Sequence, residues 1–297
     1  MTLNERMINA FYGLAVADSC GNIFEFKTNV NPDDVISHAN DSKVLTITDD
    51  SQLNFFSQEA INNLDLYEGD IFQKVRKSFT DSYIDWFTTQ SEEYDNSDEF
   101  EFGLLQFKSM FSVQAPGLTC LNSLRKIKNY EEVINDSMGN SSVVRVLPLL
   151  CLLQDKYELT FTEVLKCAKI TGNITHKHRA NDTAIETFMY AAKDILNDIR
   201  PFSLEADHIE ELGDGWIAQE CINMALWAYN KAQTFDELLT LSICHSGDSD
   251  SVSALSGALW GLSGREIPQK YIKKLDCLDV IDYIVERLNI DEFKLYD

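Results

Sequence analysis

The sequence predicts an all-α protein, a compact single-domain orthogonal helical bundle, and three observations carry that expectation. Apolar residues recur with helical spacing along most of the chain. Alternating, β-branched runs bounded by turn residues are scarce. Five prolines in 297 residues, no Ser/Gly linker and no fixed-period repeat leave nothing to divide it. With 44% apolar residues the chain can bury one large core, so one unit over residues 1–297 is the simplest organisation.

The elements follow in order. Over residues 52–64, Leu53, Phe56, Ala60, Ile61 and Leu64 fall on one helical face. Residues 143–153 are almost continuously apolar, as in a buried helix. Residues 183–196, 216–229 and 252–262 repeat the helical period. Between the first two stretches lies the densest acidic run, Glu92 to Glu101, which predicts an exposed loop over 90–101 because like charges resist packing. The alternative is a surface that attracts a basic partner.

Charge and cysteine usage narrow the class. There are 48 Asp and Glu against 25 Lys and Arg, a net charge of −23. Binding nucleic acid needs a basic face, and none is visible. The seven cysteines are scattered from Cys20 to Cys277 without a Cys-x-x-Cys pair. That pattern points to buried thiols in a reducing compartment. The first residues lack the basic end and apolar run of a signal peptide, and no stretch of about 20 apolar residues could span a membrane. A cytoplasmic protein is expected.

Two acidic motifs stand out. Thr48-Asp49-Asp50-Ser51 precedes a helix, where Asp and Ser cap free backbone N–H groups and suit the positive end of the dipole. One cap needs one such residue, and here four oxygen-bearing side chains follow one another. Ser246-Gly247-Asp248-Ser249-Asp250-Ser251 projects two carboxylates from a turn. The helix after it carries Ala254, Gly257, Ala258 and Gly261, small residues that permit close packing and burial of its N-terminus. Buried carboxylates need compensating charge, which hard divalent cations supply. A solvated acidic turn is the plain alternative. Three further helix starts, at Gly13 to Phe26, Gly139 to Pro148 and Gly213-Asp214-Gly215-Trp216, combine glycine with small polar residues. They suit phosphates or sugar hydroxyls, and equally ordinary helix entries. His176-Lys177-His178 lacks a third zinc ligand nearby.

In this order, Gly13-Leu14…Asp18…Gly21…Glu25-Phe26, Thr48-Asp49-Asp50-Ser51, Gly139-Asn140…Arg145…Pro148, Thr175-His176, Gly215-Trp216 and Gly247-Asp248-Ser249-Asp250-Ser251 resemble the ADP-ribosylglycohydrolases, from about Phe11 to Tyr271. The resemblance implies an all-α fold with a binuclear site holding two Mg2+ or Mn2+ ions. The ligands would be Thr48, Asp49, Asp50, Asp248, Asp250 and Ser251. Glu25 would lie beside them, and Glu25 or Asp50 would activate the attacking water. Gly139, Asn140, Ser141, Arg145 and His176 would line the ADP-ribose cleft. Gly213, Asp214, Gly215 and Trp216 would approach the distal ribose and the leaving group, and Asp18 would be structural. Two ions would neutralise the charge of the four aspartates and clamp sugar hydroxyls with a water between them.

The implied activity is metal-dependent removal of ADP-ribose from protein side chains. The serine-containing version of the last motif resembles that of arginine-specific members. Alternatives are serine-linked or small-molecule substrates, or an antitoxin that blocks an ADP-ribosyltransferase by contact. Expected partners are an ADP-ribosylated protein, ADP-ribose and such a transferase, with no nucleic acid and no membrane. Some positions depart from the family pattern. Ala17, Ser141 and Ser246 stand at glycine positions, and Ile47 where many members have an aromatic residue. Ser51 and Ser251 replace threonines and keep the hydroxyl. Ser141 and Ser246 bear on the backbone path in the cleft, because serine tolerates positive φ poorly.

Overall fold

The computed structural model describes residues 1–94 and 103–288. Among them are thirteen α-helices and no strand; the only ladder pairs are isolated bridges, Leu45 with Leu275 and Gly139 with Ile217. The helices that build the site are α1 (Leu3–Gly21), α3 (Asp49–Asn62), α5 (Leu118–Lys128), α6 (Ser141–Val144), α7 (Phe161–Gly172), α9 (Ala218–Lys231) and α11 (Ser249–Leu262). The fold is all-α, as expected. Helix starts are chemically marked. Capping boxes pair Thr2 with Glu5 on α1 and Thr160 with Glu163 on α7. Each satisfies two otherwise orphaned donors.

α1 packs on α11 more extensively than any other pair of helices. A Cβ built on Gly257 would lie 2.1 Å from the Gly13 carbonyl oxygen, and one on Gly261 2.1 Å from that of Asn9. At the other end, a Cβ on Gly21 would lie 2.7 Å from the Cα of Asp250. The helices therefore run antiparallel in backbone contact, which only glycine at these positions permits. Ser253 Oγ donates to the Ala17 carbonyl at 2.8 Å, and Ser249 Oγ to that of Gly21 at 3.1 Å. This crossing brings the N-terminus of α11, with its two aspartates, against the C-terminus of α1.

Two expectations are corrected here. The apolar stretch 143–153 is buried, but it is not one α-helix: α6 ends at Val144, and a 3-10 helix spans Leu147–Leu153. Pro148 lacks an N–H and excludes the helical carbonyl that would face it, so the α ladder cannot run through. The expected loop over 90–101 begins later, because α4 (Ile71–Ser91) includes Gln90 and Ser91. Glu92 and Glu93 are exposed, and 95–101 lie outside the described residues. All seven cysteines are free and only Cys244 is not fully buried. No helix among the described residues is long and apolar enough to cross a membrane.

Candidate active site

Asp18, near the end of α1, organises the first acidic motif without belonging to the cavity. Its carboxylate accepts from the Thr48 N–H at 3.0 Å, Thr48 Oγ at 2.7 Å, the Ser51 N–H at 3.3 Å and Ser51 Oγ. A residue of one helix thus caps the N-terminus of another. Asp49 and Asp50 are thereby fixed in the first turn of α3. Asp49 accepts from the Gly117 N–H at 3.3 Å, which ties α3 to the start of α5.

The second motif is held from the opposite side. Asp248 is the N-cap of α11, accepting from the Ser251 N–H at 3.3 Å. Its other oxygen accepts from Asn140 Nδ2 at 2.8 Å, and its own N–H donates to the Asp214 carbonyl at 2.8 Å. The two motifs then meet: Ser251 Oγ donates to Asp50 Oδ2 at 2.6 Å. Glu25, just past α1, closes the group, since one oxygen each of Glu25, Asp248 and Asp250 can be found within 4.8 Å of one another.

These side chains line one cavity of about 390 Å³, a size that suits a nucleotide-sugar ligand. It is lined by Glu25, Asp49, Asp50, Asp248 and Asp250 with Ser251, and by Gly117, Thr119, Gly139, Asn140, Ser141 and His176. Phe26 and Trp216 stand at the rim, stacked with centroids 5.1 Å apart. Burial pushes the carboxyls of Asp49, Asp50 and Asp250 well above the usual range, and neighbouring carboxylates add to the shift. Glu25 is pushed up to about 7 by burial, then by Asp248 and Asp18. Asp18 rises to about 6 through burial, against the pull of its four hydrogen bonds. Carboxylates packed this way repel one another unless protons or cations intervene. Hard oxygen donors at this spacing fit a divalent cation.

The profile of the ADP-ribosylglycohydrolase family matches residues 1–200 and 180–295. The chain belongs to the ADP-ribosylglycohydrolase family. Its fold is similar to that of a solved ADP-ribosylglycohydrolase-related protein complex, with a TM-score of 0.61 and 18% identity over 96% of this chain and 97% of the other. A stretch of 80 residues is 28% identical to an uncharacterized protein of Archaeoglobus fulgidus. That match spans 27% of this chain and only 26% of the relative. Family membership supports hydrolysis of ADP-ribose linkages as the chain's chemistry.

Within this family frame, Glu25, Asp49, Asp50, Asp248, Asp250, Ser251, Gly139, Asn140, Ser141, His176 and Trp216 all reach the cavity. Five residues expected at its wall do not. Thr48 is fully buried, its hydroxyl donating to Asp18 and accepting from the Asp50 N–H. Gly213 adopts φ +124° beside Glu220, and Asp214 is exposed, contributing its carbonyl to Asp248 rather than its carboxylate to the cavity. Gly215 accepts from Asn140 Nδ2 at 2.9 Å from behind the wall.

Arg145 is the clearest correction. It is 0% exposed and lies in the core, stacked 4.5 Å over Tyr83, because it follows the short α6 by a turn that points inward. Ser141 and Ser246 are not among the positive-φ residues, so serine fits both places without strain. Sequence reasoning left out Phe26, Ala115, Gly117, Leu118 and Thr119. The Pro116-Gly117 pair ahead of α5 was the available signal.

Proposed function

We propose that this protein is a divalent-metal-dependent hydrolase that releases ADP-ribose from modified arginine side chains by cleaving the N-glycosidic bond at C1 of the ribose. The observation that carries this reading is the convergence of two helix N-termini, 201 residues apart at the Asp50–Ser251 bond, on one cavity closed by Glu25. Asp49, Asp50, Asp248 and Asp250, with the Ser251 hydroxyl, would hold two Mg2+ or Mn2+ ions, while Thr48, bonded to Asp18, would position the loop that carries them. When bound, such ions supply Lewis acidity and positive charge toward the ribose hydroxyls and the attacking water.

Between the two candidate bases, the hydrogen bonding favours Glu25. Asp50 already accepts from Ser251 Oγ, whereas Glu25 makes no hydrogen bond among the described residues and is only half-buried. In this reading Glu25 takes a proton from water as its oxygen attacks C1, the C1–N bond breaks, and the guanidine leaves. The transition state has oxocarbenium character, as in glycoside hydrolysis generally. The Gly139–Ser141 wall and His176 would hold the rest of ADP-ribose.

The arginine assignment is supported by the rim. Phe26 and Trp216 place aromatic surface beside Glu25, a setting that suits a planar, delocalised cation. Asp214 does not contribute to that support, because its side chain is exposed away from the cavity. The test is release of ADP-ribose from arginine-linked and serine-linked peptides of one sequence, with magnesium and with chelator. Metal-dependent release from arginine is expected. Equal rates on both linkages, or a serine preference, would overturn the linkage. Tight ADP-ribose binding with no release from either peptide would favour a blocking protein instead.

A further inference from the structure

Arg145 is a buried cation with no ion pair among the described residues. Its guanidinium sits at the C-terminal end of α7, where Nη2 donates to the Thr171 carbonyl at 3.3 Å and the Gly172 carbonyl at 3.4 Å. Those are carbonyls the helix cannot satisfy itself, at the negative end of its dipole. The same nitrogen donates to Thr175 Oγ at 2.6 Å, and Thr175 Oγ lies 2.8 Å from His176 Nδ1. The chain of contacts runs from the core to the cavity wall, since His176 lines the cavity.

Donor counting fixes the direction of the arginine bond, and acceptor strength sets the direction of the histidine bond. Arginine can only donate, so the Thr175 oxygen accepts from it. The threonine hydroxyl then has one proton to give. Two acceptors are near, the Cys120 sulfur and His176 Nδ1. Sulfur is the weaker acceptor, so the proton goes to the ring nitrogen. A Nδ1 that accepts carries no proton, and a neutral imidazole then has its proton on Nε2. That edge lies against Gly139: a Cβ there would be 2.9 Å from Nε2, so glycine admits the ring. Nε2 has no hydrogen-bond partner among the described residues.

We propose that Arg145 and Thr175 form a positioning relay that fixes His176 as the neutral Nε2–H tautomer, giving the cavity wall one oriented N–H donor for an anionic oxygen of the ligand. Taking that oxygen to be one of the ADP-ribose diphosphate rests on the function proposed above; the tautomer does not. Arg145 acts through its neighbours and touches no ligand. Burial, and then the Arg145 charge, push the His176 imidazole down to about 3, which agrees with a ring that stays neutral near pH 7. The arrangement supplies a donor without a mobile proton, beside a wall of carboxylates that would otherwise compete for one.

The experiment is 15N NMR of histidine-labelled protein, in which long-range proton–nitrogen correlations distinguish the two tautomers. His176→Gln identifies the signals among the five histidines. In the native chain Nδ1 is expected to resonate as an unprotonated nitrogen and Nε2 as a protonated one, unchanged between about pH 5 and 8. Thr175→Val should mix the tautomers and weaken ADP-ribose binding roughly tenfold, the usual scale for a hydrogen bond to a charged group. Thr175→Ser should preserve both the spectrum and the affinity. Arg145→Met should also mix the tautomers; because loss of a buried guanidinium endangers folding, the Thr175 pair carries the decision. A Nδ1–H tautomer or an imidazolium in the native chain would overturn the relay, as would Thr175→Val with unchanged spectrum and affinity. If the native chain failed to bind ADP-ribose, the proposed function would fall, and the spectra would still decide the relay.

Discussion

Gly257→Ala tests whether the backbone contact between α1 and α11 sets the site. The added methyl would sit 2.1 Å from the Gly13 carbonyl oxygen and 2.7 Å from the Ala17 Cβ. Ordinary carbon contacts lie near ~3.5 Å, so the helices must part by about 1 Å. Overpacking of this kind costs about 1–3 kcal/mol, and the upper end applies because the nearest obstacle is backbone in mid-helix. Alanine returns about 1 kcal/mol of helix propensity. The net loss is about 2 kcal/mol, or roughly 4 °C in Tm for a chain of this size. The same parting moves Glu25, which follows α1, away from Asp248 and Asp250, whose oxygens now lie within 4.8 Å of it. Thermal melts with and without magnesium, and titration calorimetry for the metal, read both effects. Gly261→Ala meets a matching 2.1 Å clash with Asn9 but lies one turn farther from the acids. It should lower Tm similarly and weaken metal binding less. An unchanged or raised Tm for Gly257→Ala would refute the contact, and equal metal affinities in both variants would refute its link to the site.

The carboxyls give a pH dependence with a defined sign. Asp18, at about 6, Glu25, at about 7, and Asp49, Asp50 and Asp250, all pushed well above the usual carboxylate range, hold protons in the native state that the unfolded chain releases from about pH 4 upward. Their contribution is therefore fully present below that range and is lost as pH rises through the raised native values, about 6 for Asp18 and about 7 for Glu25. The Tm of chelated protein should fall from about pH 5 to 8. Magnesium should restore it, by about 2.7 kcal/mol at one hundred times the dissociation constant. A flat or rising profile, or no response to magnesium, would contradict the cation site. Asp248→Asn and Asp250→Asn should each lower turnover at least about a hundredfold, because an amide supplies no negative charge. Exposed Glu93→Gln should leave the rate near native, and a large loss there would mean the cavity is not where catalysis occurs. Glu25→Gln should lower kcat by about 10²–10⁴ with ADP-ribose affinity little changed, the range for a lost general base. Collapsed affinity with normal residual turnover would make Glu25 a binding residue.

The sequence was most readable where local chemistry exceeded local need. Thr48-Asp49-Asp50-Ser51 holds more oxygen than one cap requires, and the structure divides the surplus: Thr48 and Ser51 turn to Asp18, while Asp49 and Asp50 face the cavity. The glycines of α11 announced a close neighbour, and that neighbour is α1. What stayed hidden depends on contacts between distant residues. Gly117 matters because its N–H reaches Asp49, 68 residues away, which no local pattern encodes. Phe26 and Trp216 stack across 190 positions of sequence. Arg145 follows Gly139-Asn140-Ser141 closely enough to share their motif. Yet α6 is a single turn, and the chain beyond it points the guanidinium into the core.

That inward placement leaves the cavity lining with two chemically distinct groups, joined where Asn140 donates to Asp248. Five carboxylates, from Glu25 to Asp250, converge with no ion pair among the described residues. Gly139, Ser141 and His176 supply further surface, with the Arg145 charge one residue behind His176 through Thr175. An ADP-ribosyl arginine is itself two-sided, with an anionic diphosphate, a ribose rich in hydroxyls and a cationic leaving group. On the proposed reading the charges favour one orientation of these parts. The diphosphate faces His176, since the carboxylates repel it, and the ribose hydroxyls reach the carboxylates through the cations between them. The guanidine then leaves past Glu25, alongside the Phe26–Trp216 stack. Reversing the ligand would set phosphate against carboxylate and a guanidinium against buried Arg145, so the fold's charge distribution selects the end of the molecule at which the bond breaks.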